Sequence, residues 1–291
     1  MFRPLPILLF VLVLSLPVQA IALDVISYKT DTPPLLDGAI GDAGWQAVTV
    51  PYVINDQTAD VPIFLRSVHT DDTIYFSVMY KDSAQSPFHK PWLWNKETGQ
   101  YEEGAHREDT FVFKWNMMEK DVNLSNFSDD SYTADLWYWK ANRTNPAGYA
   151  DDKQQILSDS PGKESELIVS NSGKKRYLLR KSDAGKSAYK EMKEPPAALS
   201  NPLIDRYPQR NPDGSRADVQ AKGAWKNGFW IIEFSRKLQT GHDDDVQFSL
   251  DKGSYLFGVS IFSLYGQPVD KSEPNRYGMG RISEPLYLKF E

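Results

Sequence analysis

The 291-residue chain contains no cysteine, and this absence narrows the chemistry that it can perform. A disulfide framework, a thiol nucleophile, an iron–sulfur cluster and the Cys-x-x-Cys-His attachment of c-type haem are all excluded. Histidine is scarce too, with four residues, and no two of them have the His-x-x-x-His spacing of a helical zinc site. Any bound group must therefore be held by isolated histidines, methionines, lysines, carboxylates or aromatic side chains.

Basic residues are outnumbered by acidic ones. The chain has 33 lysines and arginines against 39 aspartates and glutamates, a net charge of −6, and removal of the first twenty residues with Arg3 makes it −7. Because phosphate binding needs a basic face, nucleic acid is not expected to be a partner. The sequence also lacks the G-x-S-x-G motif, so this hydrolase signature is absent.

The N-terminus has the pattern of a secretory signal. Residues 1–20 combine basic Arg3, an apolar run and a small residue, Ala20, at the expected cleavage site. The uninterrupted run Ile7–Leu14 is too short for a membrane anchor, which needs about 20 apolar residues. No later segment is apolar enough to span a bilayer. We therefore expect an exported, periplasmic protein whose residues 21–291 form one soluble domain.

Alternation of apolar and polar residues with period two dominates the rest of the chain and predicts strands. The alternating segments are residues 61–70, 71–83, 109–117, 134–141, 224–238, 253–266 and 284–291. Asp71-Asp72 and Asn227-Gly228 lie between apolar runs and predict hairpin turns. No segment has a comparable helical pattern, so the fold class is predicted to be all-β, an antiparallel β-sandwich.

The middle of the chain differs in composition. Residues 143–221 are polar and rich in Pro, Gly, Ser and Lys, and only "ELIVS" (166–170) and "RYLLRK" (176–181) are typical of strands. The segment lacks an apolar core of its own. We therefore predict a long irregular insertion between the two halves of one sandwich domain.

Two adjacent methionines end the segment "EDTFVFKWNMMEKD", residues 108–121. Thioethers fill gaps in cores but also ligate haem iron. Alternation places Met117 on the same face as Phe111, Phe113 and Trp115, whereas Met118 is out of phase. We predict that Met117 fills the edge of the core and that Met118 lies in a turn.

Aromatic, histidine and acidic residues provide further candidates. "PWLW" and "LWYW" place Trp92 with Trp94, and Trp137 with Trp139, on common strand faces, where they either stack on a ligand or fill the core. His89 lies in a loop, where histidines are usually hydrogen-bonded surface residues. The runs "HDDD" (242–245) and "DDSYTAD" (129–135) contain calcium-type ligands but not the EF-hand pattern, and we interpret them as solvated turns.

Several segments together resemble a known family. They are "LDGAIGDAGWQAV" (36–48), the strand 108–117, the block 135–152 and the hairpin 225–238. In this order they resemble the haem-binding domain shared by the small subunits of ethylbenzene dehydrogenase, dimethyl sulfide dehydrogenase and related enzymes. The opening Asp-Gly-x-x-x-Asp-x-x-Trp pattern also resembles family 9 carbohydrate-binding modules, which share a similar β-sandwich.

The resemblance implies a periplasmic sandwich that holds haem b non-covalently and exchanges electrons with a redox partner or oxidoreductase subunit. Such a protein would have no catalytic activity of its own. In the dehydrogenase subunits the iron ligands are a methionine and a lysine. The methionine lies in the connection that corresponds here to residues 118–134, whose sole methionine is Met118.

The second ligand is expected near the C-terminus, where Lys271 and Met279 are available. Met118 and Met279 are the preferred axial candidates, with Lys271 and His89 as substitutes. Trp137 and Trp139 are expected to line the haem pocket. Lys140 or Arg143 is expected to pair with the haem propionates.

Two other functions stay open at this point. A carbohydrate-binding module of the cell envelope fits the Asp-Gly opening and the tryptophan pairs. A structural envelope protein with an intact sandwich and no ligand fits the strands alone.

Overall fold

The computed structural model describes residues 22–56, 61–262 and 282–291. The predicted signal sequence and the ligand candidates Lys271 and Met279 lie outside these described residues. Strands dominate the described ranges, and they are β1 (Leu23–Lys29), β2 (Tyr52–Asp56), β3 (Val61–His69), β4 (Thr73–Lys81), β5 (Trp92–Asn95), β6 (Gln100–Glu103), β7 (Thr110–Asn116), β8 (Tyr132–Lys140), β9 (Asp151–Ser158), β10 (Glu166–Val169), β11 (Lys175–Ser182), β12 (Leu203–Ile204), β13 (Gln220–Lys226), β14 (Phe229–Lys237), β15 (Tyr255–Ile261) and β16 (Leu286–Phe290). Helical structure there is limited to short 3₁₀ turns, and none has the length or apolar character to cross a membrane.

Most strands follow one hydrogen-bonded path in the order β10-β11-β9-β8-β7-β15-β16-β1-β3-β4-β14-β13, with β2 added beside β3. Strand β1 joins the two halves of this path. Its residues 23–27 pair in parallel with β16, while Tyr28 and Lys29 pair in parallel with β3. A separate small sheet has the order β12-β5-β6. The path therefore consists of two sheets that share β1.

The two sheets pack face to face through aromatic side chains. Phe76 of β4 lies 4.9 Å from Phe113 and 5.5 Å from Trp115 of β7, and 5.9 Å from Trp137 of β8, between ring centroids. All four side chains are fully buried in the main core. The predicted all-β sandwich is thus confirmed, with the two pairings of β1 as its parallel exceptions.

Both predicted hairpins are present. Strands β3 and β4 pair antiparallel around Asp71-Asp72, and β13 pairs with β14 around Asn227-Gly228. Asn227 and Gly228 have φ values of 54° and 80°, the left-handed conformations that a two-residue type I′ turn requires.

The middle segment is more regular than its composition indicates. Strands β10 and β11 fall on the two predicted fragments, but β9 was not expected, and all three extend the sheet beyond β8. The description as irregular therefore does not hold for β9, whereas β10 and β11 agree with the two predicted fragments. Strand β9 escapes the pattern because buried polar residues, Asp151, Asp152 and Gln155, occupy positions where apolar residues signal a strand.

The Asp-Gly-x-x-x-Asp-x-x-Trp pattern binds the N-terminal segment to β14. Backbone N–H groups of residues 37–39 donate to Glu233 Oε2 over 2.8–3.3 Å, and the Trp45 indole donates to Oε1 over 2.7 Å. Gly38 has φ of 80°, and a Cβ there would lie 2.6 Å from that of Ala224. These contacts give Gly38 and Trp45 of the pattern a structural role, in attaching the N-terminal segment to β14.

Candidate functional site

A cavity of about 760 Å³ lies between the connection from β7 to β8 and the C-terminal strands. Residues 121–130 form one wall, and residues 256–258 and 282–287 contribute the other. Leu256 belongs to the small apolar cluster beneath this connection, whereas its neighbour Phe257 belongs to the main core. Because neighbouring side chains of a strand point to opposite faces, the cavity lies on the outer face of the sheet. Its volume is within the usual range for small-molecule sites.

The wall formed by the connection is held from below by three strands. Lys114 of β7 is buried and donates from Nζ to the Leu124 carbonyl and to Asn126 Oδ1, each over 2.9 Å. The Tyr132 hydroxyl donates to the same carbonyl over 3.0 Å, and Gln155 Nε2 donates to Asn126 Oδ1 over 2.8 Å. Burial lowers the pKa of Lys114 to about 7. These bonds attach the connection to β7, β8 and β9.

The lining of the cavity combines apolar and polar side chains. Leu124, Leu256 and Ile282 supply aliphatic surface. The Tyr287 hydroxyl donates to Asp121 Oδ2 over 2.7 Å, and this bond raises the pKa of the tyrosine. Such a lining suits a ligand that has both apolar and polar surface.

The described lining does not complete a haem-iron site. It contains no histidine, methionine or lysine among the residues that the structure places around the cavity. Met118 is 36% exposed, is not part of this lining, and its Sδ accepts a hydrogen bond from the Thr133 N–H over 3.3 Å. The volume is thus sufficient for a haem, but the lining supplies neither an iron ligand nor a cation for the propionates, so these groups have to come from elsewhere in the chain.

Met117 and Met118 occupy different environments. Met117 is half-buried at the end of β7, where its N–H donates to the Thr133 carbonyl over 3.1 Å and its Sδ accepts from Gln154 Nε2 over 3.8 Å. Met118 is exposed beyond the strand. The exposed position of Met118 agrees with the expected turn, and Met117 is half-buried beside Gln154.

Trp137 and Trp139 are core residues. Trp137 packs on Trp115 at 5.2 Å between centroids, and Trp139 packs edge-on against Trp230 at 4.9 Å. Both are fully buried, and neither belongs to the lining of the cavity. The expected role of the pair in lining a haem pocket is not found at this cavity.

Arg143 and His89 meet around Glu108, away from the cavity. Arg143 donates from Nε to Glu108 Oε1, and the N–H groups of residues 142 and 143 donate to Oε2 over 2.7 and 2.9 Å. His89 Nδ1 lies 3.5 Å from Oε1. Burial lowers the pKa of His89 to about 2, and the nearby Arg143 and Arg107 charges act in the same direction.

Lys140 also has a carboxylate partner inside the protein. Its Nζ donates to Asp151 Oδ2 over 2.5 Å, and Arg216 pairs with the other oxygen. Burial lowers the pKa of Lys140 to about 8, although Asp151 opposes this effect. Burial alone would raise the pKa of Asp151, but Lys140, Lys153 and Arg216 hold it well below its usual range. Lys140 and Arg143 are therefore neutralised by carboxylates, and the structure does not aim them at propionates in the cavity.

The second tryptophan pair retains some exposed surface. Trp92 and Trp94 are half-buried on β5. The Arg206 guanidinium lies 4.8 Å from the Trp92 ring, and Trp94 packs edge-on against Tyr101 at 5.0 Å.

Interpretation of the two acidic runs as solvated turns is wrong for the last aspartate of each. Asp135 and Asp245 are 0% and 4% exposed.

Sequence reasoning also missed Tyr287 and Asp121, which line the cavity, because their contact joins positions that are distant in the chain.

The fold and cavity define a β-sandwich domain with a cavity of mixed polar and apolar lining on one sheet. A family model described as ethylbenzene dehydrogenase matches residues 40–273, so the chain belongs to that family. Membership associates the chain with a redox-related subunit. No curated protein matches the sequence.

Solved structures similar to the chain include a family 9 carbohydrate-binding module from Caldicellulosiruptor kristjanssonii. Its complex with glucose has 9% identity and a TM-score of 0.39, covering 91% of this chain and 95% of the other. Its complex with cellotriose has 10% identity and a TM-score of 0.38, covering 92% and 94%. Similarity at this level supports no inference about binding.

Proposed function

We propose that the chain is an exported haem b-binding protein, an electron-transfer or accessory subunit of a periplasmic redox system. The observation that carries the proposal is the amphipathic cavity beside residues 121–130. This connection is the one in which the resemblance places an axial methionine. Family membership supports the redox context, and the predicted signal supports export.

Axial ligands are proposed from the methionines and lysines next to the cavity in sequence. Met279 precedes Ile282, which lines the cavity, by three residues, and Met118 precedes Asp121, the first lining residue of the opposite wall, by three residues. Lys271 is the substitute on the C-terminal side, while His89 is disfavoured because it is buried beside Glu108. Bound haem would supply one-electron transfer, and thioether ligation would raise its potential. The chain's own contribution is to exclude water with aliphatic side chains and to hold the walls in place through Lys114.

Absorption spectra of methionine variants test this assignment. Protein expressed with haem available is expected to show a Soret band that shifts in Met279→Ala and Met118→Ala. Met117→Ala is the matched control, since this neighbouring thioether is half-buried against Gln154 and should leave the band unchanged. An unshifted band in both ligand variants would contradict these residues as ligands.

Carbohydrate binding remains the second candidate because Trp92 and Trp94 keep partly exposed rings on one strand. Retention on insoluble polysaccharide that is lost in Trp94→Ala would support it. Trp225→Ala is the control, since Trp225 is also partly exposed but lies on β13. Absence of retention by the wild-type protein would exclude this function for the polysaccharide tested.

A further inference from the structure

Three aspartates from distant parts of the chain converge inside the protein. Asp135 lies on β8, Asp152 on β9 and Asp245 in the loop after β14, and they are 0%, 0% and 4% exposed. Each offers a carboxylate oxygen, and these oxygens lie within 4.8 Å of one another. Asp183, which follows β11 and is 4% exposed, is a fourth buried carboxyl close enough to act electrostatically on Asp152. We call Asp135, Asp152 and Asp245 the aspartate triad.

Buried oxygens of this group lack hydrogen-bond donors. Both carboxylate oxygens of Asp152, both of Asp183 and Oδ1 of Asp135 accept no hydrogen bond from any described residue. Native proteins rarely leave a buried polar atom without a partner, because an unpaired buried charge is strongly destabilising. This shortage of donors is a second observation, separate from the clustering, and it indicates a missing positive partner.

Arg236 balances only part of the charge. Its Nη1 donates to Asp135 Oδ2 over 2.7 Å and lies 3.9 Å from Asp245 Oδ1. Asp135 Oδ2 also accepts from the Val246 N–H over 3.0 Å and from the Trp137 indole over 3.3 Å, so this oxygen is fully engaged. Within the described ranges, no lysine or other arginine forms an ion pair with the triad. With all three carboxylates ionised, two negative charges of the triad would be uncompensated.

We propose that the aspartate triad binds one calcium ion. Calcium takes oxygen ligands at about 2.3–2.6 Å, so two bound oxygens lie at most about 5 Å apart, as the triad allows. The donor set contains oxygens alone, which disfavours softer metals. Magnesium usually keeps several waters, which a buried group of carboxylates does not favour. The ion would join β8 and β9 of one sheet to the loop that follows β14 of the other, with Asp183 adding negative charge nearby. This site is independent of the haem proposal.

Shared protons are the competing way to neutralise the triad. Burial, together with neighbouring negative charges, raises the pKa of Asp152 and raises that of Asp183 to about 8. A protonated cluster would bind no metal, so metal binding separates the two cases.

Terbium luminescence is the direct test, with the full chain first treated with a chelator. Trp137 donates to Asp135 and is therefore placed to sensitise Tb³⁺ bound at the triad. The expected result is a saturable signal that calcium displaces and that is lost in Asp152→Asn. Asp218→Asn is the control, because Asp218 and His242 form a second possible group with Asp245. Loss of the signal in this control but not in Asp152→Asn would overturn the proposal.

Thermal unfolding of the wild-type protein gives a result that does not depend on any variant folding. Calcium is expected to raise Tm after chelator treatment, and magnesium at the same concentration is expected to have a smaller effect. Absence of both Tb³⁺ luminescence and a calcium-dependent shift in Tm would refute the site and leave shared protons as the explanation.

Discussion

At the residue scale, Glu108 shows how buried charge is accommodated away from the cavity. Its carboxylate is 1% exposed and accepts from Arg143 and from two backbone N–H groups. Glu108→Gln is expected to lower the free energy of unfolding by about 3 kcal/mol, because removal of one partner leaves Arg143 without its counter-charge. Urea unfolding would measure this change.

Glu103→Gln provides the matched control for Glu108→Gln. Glu103 pairs with Arg206 and Lys90 but is 42% exposed. The same substitution there is expected to change the free energy of unfolding by less than about 1 kcal/mol, since water screens the pairs. Equal effects of the two substitutions would contradict the role assigned to Glu108.

His89 makes stability depend on pH. Burial lowers its pKa in the folded protein to about 2, from 6.5 for the free side chain. Between these values the unfolded chain binds a proton that the folded protein does not, so His89 destabilises the fold as pH falls below about 6.5. The His89→Gln variant should therefore gain about 1.4 kcal/mol relative to wild type for each pH unit below about 6.5.

Urea unfolding of the haem-free protein at several pH values would measure the effect of His89. His106→Gln is the control, because His106 is an exposed loop histidine. If both variants follow the pH dependence of the wild type, the buried neutral state of His89 is refuted.

At the residue scale, the sequence predicted the exposure of a side chain better than its hydrogen-bond or ion-pair partners. Alternation predicted that Met118 lies outside the strand pattern, in an exposed position beyond β7, because strand geometry is local. It did not predict that Arg143 binds Glu108 or that Asp135 meets Asp245, because these residues lie far apart in the chain and come together only when the sheets form.

At the scale of elements, the attachment of the N-terminal segment to β14 depends on Glu233. Its two oxygens accept four N–H groups, from residues 37–39 and Trp45. Glu233→Gln places an amide N–H₂ against one of these donors, so a loss of about 2 kcal/mol in the free energy of unfolding is expected. Hydrogen exchange is expected to show reduced amide protection in residues 37–45.

Asp37→Asn is the control for Glu233→Gln, because it removes a carboxylate charge from the same region at an exposed position. Asp37 is exposed and its Oδ1 accepts only from the Ala39 N–H among the described donors. The Asp37→Asn substitution is expected to change the free energy of unfolding by a few tenths of a kcal/mol. Unchanged protection of residues 37–45 in Glu233→Gln would show that this segment is held by other contacts.

Strand prediction succeeded where the pattern was local and apolar. The β13–β14 turn follows from Asn227-Gly228 alone, since these residues adopt left-handed φ readily. Strand β9 could not be predicted in this way, because its inward positions are filled by polar residues whose partners lie on other strands.

At the scale of the whole molecule, the sandwich class follows from the sequence but its assembly does not. Alternating strands without helices predict two packed sheets. The parallel pairing of β1 with both β16 and β3 joins the chain's two ends, and no local signal specifies such a contact. The position of the cavity depends on this arrangement, since residues 282–287 lie opposite the connection 121–130.

An optical titration of the purified full-length protein with haem tests the central claim most directly. Binding of haem b in the cavity is expected to give a Soret band that saturates at about one haem per chain, within the capacity of a single site of this size. A spectrum that remains that of free haem throughout the titration would contradict the account.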